Sequence, residues 1–325
     1  MSRFLLRHWY GRVGILWLLW PFEALYALVV GLRRFLYRQQ TGWSSALPVK
    51  VLVVGNITLG GTGKTPMVLA LVEHLRALGW HPGVVSRGYA GRQRQVMVVN
   101  ADSDPAVVGD EPLLLVQRSA VPLVVGRDRV AAARHLLATH GEVDLIISDD
   151  GLQHYRLRRD VEIVLYDAQR ALGNGHLLPL GPLREPPSRA IGCLQVWTCI
   201  DADFRPPQGH AMLLQSEAPR LLQGDGAWPV AAGAEIAAFA GIAHPQRFFA
   251  SVRALGFRLQ EHPWPDHHSY RREDFADLDR PLLMTEKDAV KCRALAPPGS
   301  AYLPITAALP LAFWQELDEA LNKRG

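Results

Sequence analysis

Cysteine and lysine are both scarce in this sequence. Its three cysteines among 325 residues, Cys193, Cys199 and Cys292, form neither a C-x-x-C pair nor an even set, which argues against a disulfide framework or a structural zinc site and for a reducing compartment. Of the 35 basic residues only five are lysines: Lys50, Lys64, Lys287, Lys291 and Lys323. The arginine excess suits bidentate phosphate binding, but biased codon usage explains it equally well. There is no internal repeat, no low-complexity tract and no [NT]-K-x-D guanine-reading string; the nearest, TEKD, has the wrong order. A formal charge of +4 is compatible with nucleic acid, anionic lipid or phosphorylated substrates and chooses none of them. At 49% hydrophobic residues the chain is globular, and it is long enough for two domains with substantial cores.

The N-terminus departs from that soluble picture. Residues 13–32 are apolar save for one charge, Glu23, and are flanked by Arg3, Arg7 and Arg12 before and by Arg33, Arg34 and Arg38 after. Pro21 and Glu23 disfavour a stable crossing, since a charge near the bilayer centre costs about 2.5–3.5 kcal/mol. Trp9, Trp17, Trp20 and Tyr26 favour the headgroup region. The pattern predicts a helix lying in, or dipping into, an anionic membrane interface. A core helix beneath a catalytic domain and a cleaved signal peptide are the rivals, although no A-x-A site follows the run.

From residue 49 onward, strand-like runs alternate with helical stretches: Val49–Val54, Gly83–Val85, Val96–Val99, Leu123–Val125, Leu145–Ile147, Val161–Leu165 and Leu194–Thr198. Such alternation predicts an α/β fold with a doubly wound parallel sheet, whose ligands bind beyond the carboxyl ends of the strands. The expected units are an N-terminal membrane-associated helix over residues 1–40, a nucleotide-binding α/β domain over 41–232 and a smaller C-terminal α/β domain over 233–325. A variable stretch spans about 201–232.

The first strand runs into GNITLGGTGKTP, and Met67, Leu71, Val72 and Leu75 then recur at helical spacing. Strand, glycine turn and helix arrive in the order of a P-loop, whose backbone N–H groups and helix N-terminus converge on phosphate. The commonest spelling, G-x-x-x-x-G-K-[ST], has glycine where this chain has Thr58. Gly60, Gly61 and Gly63 still supply a permissive backbone. With Thr62 they frame Lys64, placed for the β- and γ-phosphates, and Thr65, whose hydroxyl suits magnesium. Pro66 removes one N–H that could have faced the nucleotide.

Further polar groups fall at predicted strand ends or in loops. Asp149 and Asp150 follow a buried strand, where a P-loop enzyme keeps the acid that orients magnesium, although Asp-Gly is also a turn signal. GDEP at 109–112 reads alone as an acidic first helical turn. WPDHHSY groups Asp266, His267 and His268, which alone read as surface or metal-binding histidines before catalytic ones, although one D-H-H lacks the spacing of a zinc site. Thr285 with Asp288 reads as a capping box. Arg127 and Arg129 could bind phosphate or be merely solvated. The segment 173–187, rich in glycine and proline, must be a long structured loop carrying Arg184.

Taken in order, GNITLGGTGKTP, SRGYAGR, GDEP, DDGLQH, GPLREP, DHHSY and TEKDAVK resemble the bacterial tetraacyldisaccharide 4′-kinase family over nearly the whole chain. That family's own P-loop has threonine at the position of Thr58. The resemblance implies a P-loop NTPase-like kinase of lipid A biosynthesis that uses ATP and Mg2+ to phosphorylate the 4′-hydroxyl of an acylated glucosamine disaccharide 1-phosphate, forming lipid IVA. It places the enzyme on the cytoplasmic face of the bacterial inner membrane, with an anionic membrane surface as partner and neither nucleic acid nor a protein partner implied. By matching motifs, Gly60, Gly61, Thr62, Gly63, Lys64 and Thr65 bind nucleotide, and Thr65, Asp149 and Asp150 hold the metal. Asp110 and His267 form the catalytic pair, Asp110 being the better candidate for direct contact with the sugar hydroxyl. Arg184 and, less securely, Arg129 serve substrate phosphate. The alternative is a membrane-associated P-loop ATPase or GTPase switch; a non-enzymatic membrane-anchored binding protein would not need this convergent set.

Overall fold

The computed structural model describes residues 3–11, 13–39, 43–224 and 226–323. Arg12 lies outside the described residues, as do the side chains of Arg3 and Arg38. The strands are β1 (Lys50–Gly55), β2 (Pro82–Ser86), β3 (Met97–Val98), β4 (Leu123–Val125), β5 (Leu145–Asp149), β6 (Val161–Asp167), β7 (Leu194–Cys199), β8 (His210–Ser216), β9 (Arg220–Leu221), β10 (Glu235–Ala240), β11 (Arg258–Pro263), β12 (Leu282–Thr285), β13 (Ala301–Leu303) and β14 (Ile305–Ala308). The helices are α1 (Arg3–Trp9), α2 (Trp20–Gln39), α3 (Lys64–Ala77), α4 (Pro105–Val108), α5 (Asp110–Ser119), α6 (Arg129–Thr139), α7 (Pro245–Ala254), α8 (Glu286–Cys292) and α9 (Leu311–Asn322).

Two sheets result. The larger has the order β14-β8-β7-β6-β1-β5-β2-β4-β3, and the smaller β11-β10-β12-β13-β9. Pairing is parallel except at the edges, where β14, β3 and β9 run antiparallel to their neighbours. The central strands are continuous apolar runs because helices cover both faces: Val51, Leu52, Val53 and Val54 of β1 are all buried. Helix α3 turns Met67, Val68, Leu71, Val72 and Leu75 onto the sheet, a stripe at helical period.

Three expectations need correcting. The run Val96–Val99 yields only a two-residue antiparallel edge strand, β3, rather than a parallel one. The stretch 201–232 contains β8, which extends the large sheet, and β9, which edges the small one. Nor do the sheets part at 232 and 233. After the small sheet is complete, β14 pairs with β8, and α9 buries Phe313, Leu317 and Leu321 in the core of the large sheet. That apolar stripe is satisfied only by crossing back.

Pro21 stands in the first turn of α2, where its missing N–H costs nothing, and does not kink the apolar run midway. Over Gly14–Tyr37 the chain is long and apolar enough to cross a membrane, and only 6% of its most apolar window is buried. Its single carboxylate points inward. Glu23 accepts the Leu177 N–H at 2.7 Å and lies 3.1 Å from His176 Nδ1. Tyr26 donates to the Arg184 carbonyl at 2.9 Å, and Arg33 donates to that of Gln153 at 2.9 Å. Glu23 is thus a docking group on the body of the protein, while Trp17, Leu18, Phe22, Leu25, Leu28 and Leu32 stay exposed.

Replacing Glu23 by alanine leaves the Leu177 N–H without its charged acceptor, and should weaken the docking of α2 by about 1.5–3 kcal/mol. Amide exchange and limited proteolysis within residues 20–39 of the full chain should accelerate accordingly. Unchanged protection there would show that the remaining contacts hold the helix by themselves.

Candidate active site

Parallel strands deliver their carboxyl ends to one edge of the sheet, and the large sheet does so at five neighbouring strands. The β1–β5 register sets Val54 opposite Asp149, one residue before β1 opens into the glycine loop. Ser86 closes β2, Asp167 closes β6, and Thr198 lies near the end of β7. Two of them brace the site directly: Ser86 Oγ donates to Asp149 at 3.0 Å, and Thr198 Oγ1 donates to the Thr62 carbonyl at 2.7 Å.

The unusual Thr58 has a local explanation. It is buried, its φ is not left-handed, and it makes an isolated antiparallel bridge with Leu183. Leu59 N–H donates to Pro182 O at 2.8 Å and Arg184 N–H to Ile57 O at 2.7 Å. An extended, buried position that pairs with another segment suits a β-branched residue and gains nothing from glycine. The same zipper brings Arg184 to the cradle, where its Nη1 donates to Asp150 at 2.9 Å and to Asn56 at 3.1 Å. Gly63, by contrast, is obligatory: its φ is 77°, and a Cβ there would meet Thr198 Cγ2 at 2.9 Å. Lys64 opens α3, with its Nζ 3.9 Å from Asp150 Oδ1, and Pro66 lines the cleft as the third residue of that helix.

The two adjacent carboxylates sit in opposite electrostatic states. Burial, reinforced by the nearby charge of Glu111, pushes the Asp149 carboxyl up to about 6. Burial acts on Asp150 in the same direction, but the cations of Lys64 and Arg184 overcome it and hold that carboxyl at about 2. Asp150 also adopts a left-handed φ of 47°, a conformation that few non-glycine residues take and that clusters at functional sites.

Across a cleft of about 480 Å³ the small sheet presents its own strand ends, and the wall includes Gly60 to Thr65, Glu111, His244, Arg247, His267 and Lys287. Asp110 and His267, 157 positions apart, meet here: His267 Nδ1 lies 2.9 and 3.0 Å from the two Asp110 oxygens. Asp110 is the first residue of α5, and Oδ1 also accepts the Glu111 N–H at 2.9 Å. Although its burial works the other way, the His267 hydrogen bond and the Lys287 charge lower the Asp110 carboxyl below its usual range. Asp110 is 3% exposed and stands behind the ring, which itself lines the cleft. This reverses the expected order, in which Asp110 was to face the sugar hydroxyl. His267 also has a left-handed φ, 59°, and its ring packs against Tyr89 with centroids 5.1 Å apart.

Arg129 departs furthest from its expected role. It is 3% exposed, does not line the cleft, and gives its guanidinium to the carbonyls of Gly126 and Asp149 at 2.8 and 3.2 Å. Burial lowers its pKa to about 10. It is a brace behind β5 and not a phosphate ligand at the surface. The capping box is half formed: Thr285 Oγ1 accepts the Asp288 N–H at 3.2 Å, but the Asp288 carboxylate accepts from the Thr285 hydroxyl at 2.6 Å and the Gly241 N–H at 2.7 Å and not from the Thr285 N–H. The Gly241 bond fixes the loop after β10, whose Ala243 Cβ comes within 3.6 Å of a Cβ built at Gly61. Sequence reasoning missed Arg247, which reaches Asp167 at 2.8 Å across the cleft, and Glu111 and Lys287, which meet at 2.8 Å. In each case a charge without a local partner was the available signal.

The raised Asp149 pKa carries a stability consequence. A carboxyl that holds its proton more tightly folded than unfolded makes the fold less stable as pH rises from about 4 to 6, and the deficit persists above. Asp149→Asn removes that burden, which is about 2–3 kcal/mol by the pKa difference. Without nucleotide, the variant should melt at higher temperature than the parent at pH 8 and match it near pH 4. A lower Tm than the parent at pH 8 would reject the electrostatic account.

Comparison with known proteins agrees with this geometry. Residues 15–322 match the family described as tetraacyldisaccharide-1-P 4′-kinase. The chain is 48% identical to the tetraacyldisaccharide 4′-kinase of Methylobacillus flagellatus, over 99% of this chain and 97% of that protein. It is 52% identical to the Halorhodospira halophila protein of the same name, over 88% and 86%. The crystal structure of LpxK from Aquifex aeolicus in complex with ATP superposes with a TM-score of 0.80 at 26% identity, covering 94% of this chain and 98% of that one. With a family match and such identities over nearly its full length, the chain belongs to the tetraacyldisaccharide-1-P 4′-kinase family.

Proposed function

We propose that the cleft between the two sheets transfers the γ-phosphoryl group of ATP to the 4′-hydroxyl of a tetraacylated glucosamine disaccharide 1-phosphate, with His267 as the base. The observation that carries this reading is the Asp110–His267 pair facing a P-loop across one cleft. A phosphate cradle alone serves switches as well as kinases; a buried carboxylate orienting a histidine toward the same space equips the site to take a proton from a hydroxyl.

In this mechanism the backbone of Gly60 to Gly63 and the N-terminus of α3 receive the nucleotide phosphates, and Lys64 neutralises charge on the β- and γ-oxygens. The donor set suits magnesium, which needs only one or two carboxylates besides phosphate and water. Asp149, costly to ionise where it is buried, and Asp150, already ionised, would be those carboxylates, and Thr65 would supply its hydroxyl. A bound magnesium ion would offset charge developing on the transferring phosphoryl group. His267 accepts the 4′-hydroxyl proton at Nε2 as the oxygen attacks the γ-phosphorus, whose bond to the β–γ bridging oxygen breaks so that ADP leaves. Asp110, accepting the Nδ1–H from behind, fixes the ring and stabilises the imidazolium that forms. Arg184, paired with Asp150, lines the cleft together with the exposed Arg87, and both guanidinium groups are placed to serve substrate phosphate.

The membrane part of the reading rests on the exposed apolar face of α2 and on the substrate's chemistry. Each acyl CH₂ withdrawn from a bilayer costs about 0.8 kcal/mol, so the enzyme must meet a tetraacylated substrate at the surface. Since ATP is the donor, that surface is the cytoplasmic face of the inner membrane.

The direct test is ATP consumption by the full chain with and without a tetraacyldisaccharide 1-phosphate acceptor in mixed micelles. A kinase requires the acceptor for turnover, whereas acceptor-independent hydrolysis at the same rate would favour the switch. Asp110→Ala and His267→Ala should each lower kcat by about 10²–10⁴ with little change in ATP affinity. Because the pair acts as one unit, the double variant should be little worse than the more damaged single one. Fully multiplicative losses would dissolve the dyad.

A further inference from the structure

Lys287 is a cation on the small sheet's side of the cleft that touches the His267 ring itself. It is the second residue of α8, and its Nζ lies 2.8 Å from Glu111 Oε1, 3.2 Å from Asp266 Oδ1 and 3.3 Å from His267 Nε2. Helix α8 is held against α5 by a second clamp, in which Arg118 Nη1 straddles the Glu286 carboxylate at 2.7 and 2.8 Å. The groups against the His267 ring are Asp110 from α5, Asp266 from its own loop, Lys287 from α8 and Tyr89 from the loop after β2, and one contact further out Glu111 pairs with Lys287 and Lys291 with Asp110. Burial disfavours the charge on Lys287, but Glu111, Asp110 and Asp266 outweigh it and raise its pKa.

An ammonium group has donors and no acceptor. The nitrogen it approaches must therefore present a lone pair, which leaves the ring proton on Nδ1, whose N–H donates to Asp110. We propose that Lys287 is a positioning residue that holds His267 in the tautomer with an unprotonated Nε2 toward the cleft, keeping that lone pair available for the sugar hydroxyl. The distances suit a temporary hold. The contact with Nε2 is long, at 3.3 Å, while that with Glu111 is short, at 2.8 Å, so the ammonium can yield the nitrogen to an incoming hydroxyl and remain anchored on the carboxylates. This gives the TEKDAVK segment a purpose beyond capping: Thr285 starts the helix, Asp288 ties down the Gly241 loop, and Lys287 sets the state of the base.

The inference rests on His267 being the base, and the experiment separates the two ideas. With ¹⁵N-histidine in the full-length protein, the His267 signals should be those of the tautomer protonated at Nδ1. In Lys287→Met the Nε2-protonated form should appear and kcat should fall by about 10²-fold, the low end of acid–base effects, with KM for ATP changed less than threefold. Lys287→Arg keeps a cationic donor, and should retain the parent tautomer and most of kcat. In a His267→Ala background, Lys287→Met should cost nothing further, because the residue acts through the ring. A parent protein protonated at Nε2 overturns the proposal without any variant. An equal loss from Lys287→Met in both backgrounds also overturns it, and assigns the lysine to nucleotide or fold. If His267→Ala retains full turnover, it is the reading of the base that fails.

Discussion

The parallel pairing of β1 with β5 governs the cleft. Its register fixes Asp149 beside the start of the glycine loop, so the loop proposed to hold phosphate and the carboxylate proposed to serve its counter-ion arrive together without either segment knowing the other's sequence. Neighbouring strand ends then add Ser86, Asp167 and Thr198 along the same edge. The cost is visible in Asp149, which is buried where ionisation is unfavourable. Functional sites commonly retain such local conflicts, and a compact domain tolerates one because the surrounding apolar strands over-determine its position.

The second sheet completes this edge from the opposite side by the same rule, since the loops after β10, β11 and β12 leave the carboxyl ends of parallel strands. Opposed strand ends bring distant segments within hydrogen-bond range. Asp110 meets His267, Asp167 meets Arg247 and Glu111 meets Lys287. The contacts are mainly charge-assisted: Asp110 and Asp167 are buried behind the wall, while His267, Arg247, Glu111 and Lys287 line the cleft. The cleft can therefore be rigid in its walls while its contents change.

Much of this was legible in the sequence, for identifiable reasons. Buried parallel strands demand continuous apolar runs, so Leu123–Val125, Leu145–Ile147 and Leu194–Thr198 stood out and lie within observed strands. The P-loop announces itself through Gly63-Lys64-Thr65 between such a strand and a helix. What stayed hidden depends on non-local partners. Nothing local to Ile305–Ala308 says that it pairs with β8 and not with the small sheet. Arg129 and Arg184 are equally basic in the sequence, and only the fold buries one behind β5 and leaves the other at the mouth. Glu23 looked like an obstacle to membrane contact until its partners at His176 and Leu177 were in view. Even the order of the Asp110–His267 pair, with Asp110 behind the ring, is a matter of burial, which spacing does not encode.

Helix α2 is gripped at Glu23, Tyr26 and Arg33, positions that fall on one stripe at helical period. A cylinder held along one stripe cannot roll, so its apolar face keeps a constant azimuth relative to the cleft. The grips are on His176 and Leu177, Arg184 and Gln153, the same stretches that carry the cleft-mouth arginine and follow the Asp149-Asp150 pair. Any torque on the helix from its surroundings is therefore delivered to the mouth of the cleft. The height at which the cleft opens above the plane of that face follows from these grips, together with Tyr37 against Tyr155 and Trp17 against His176.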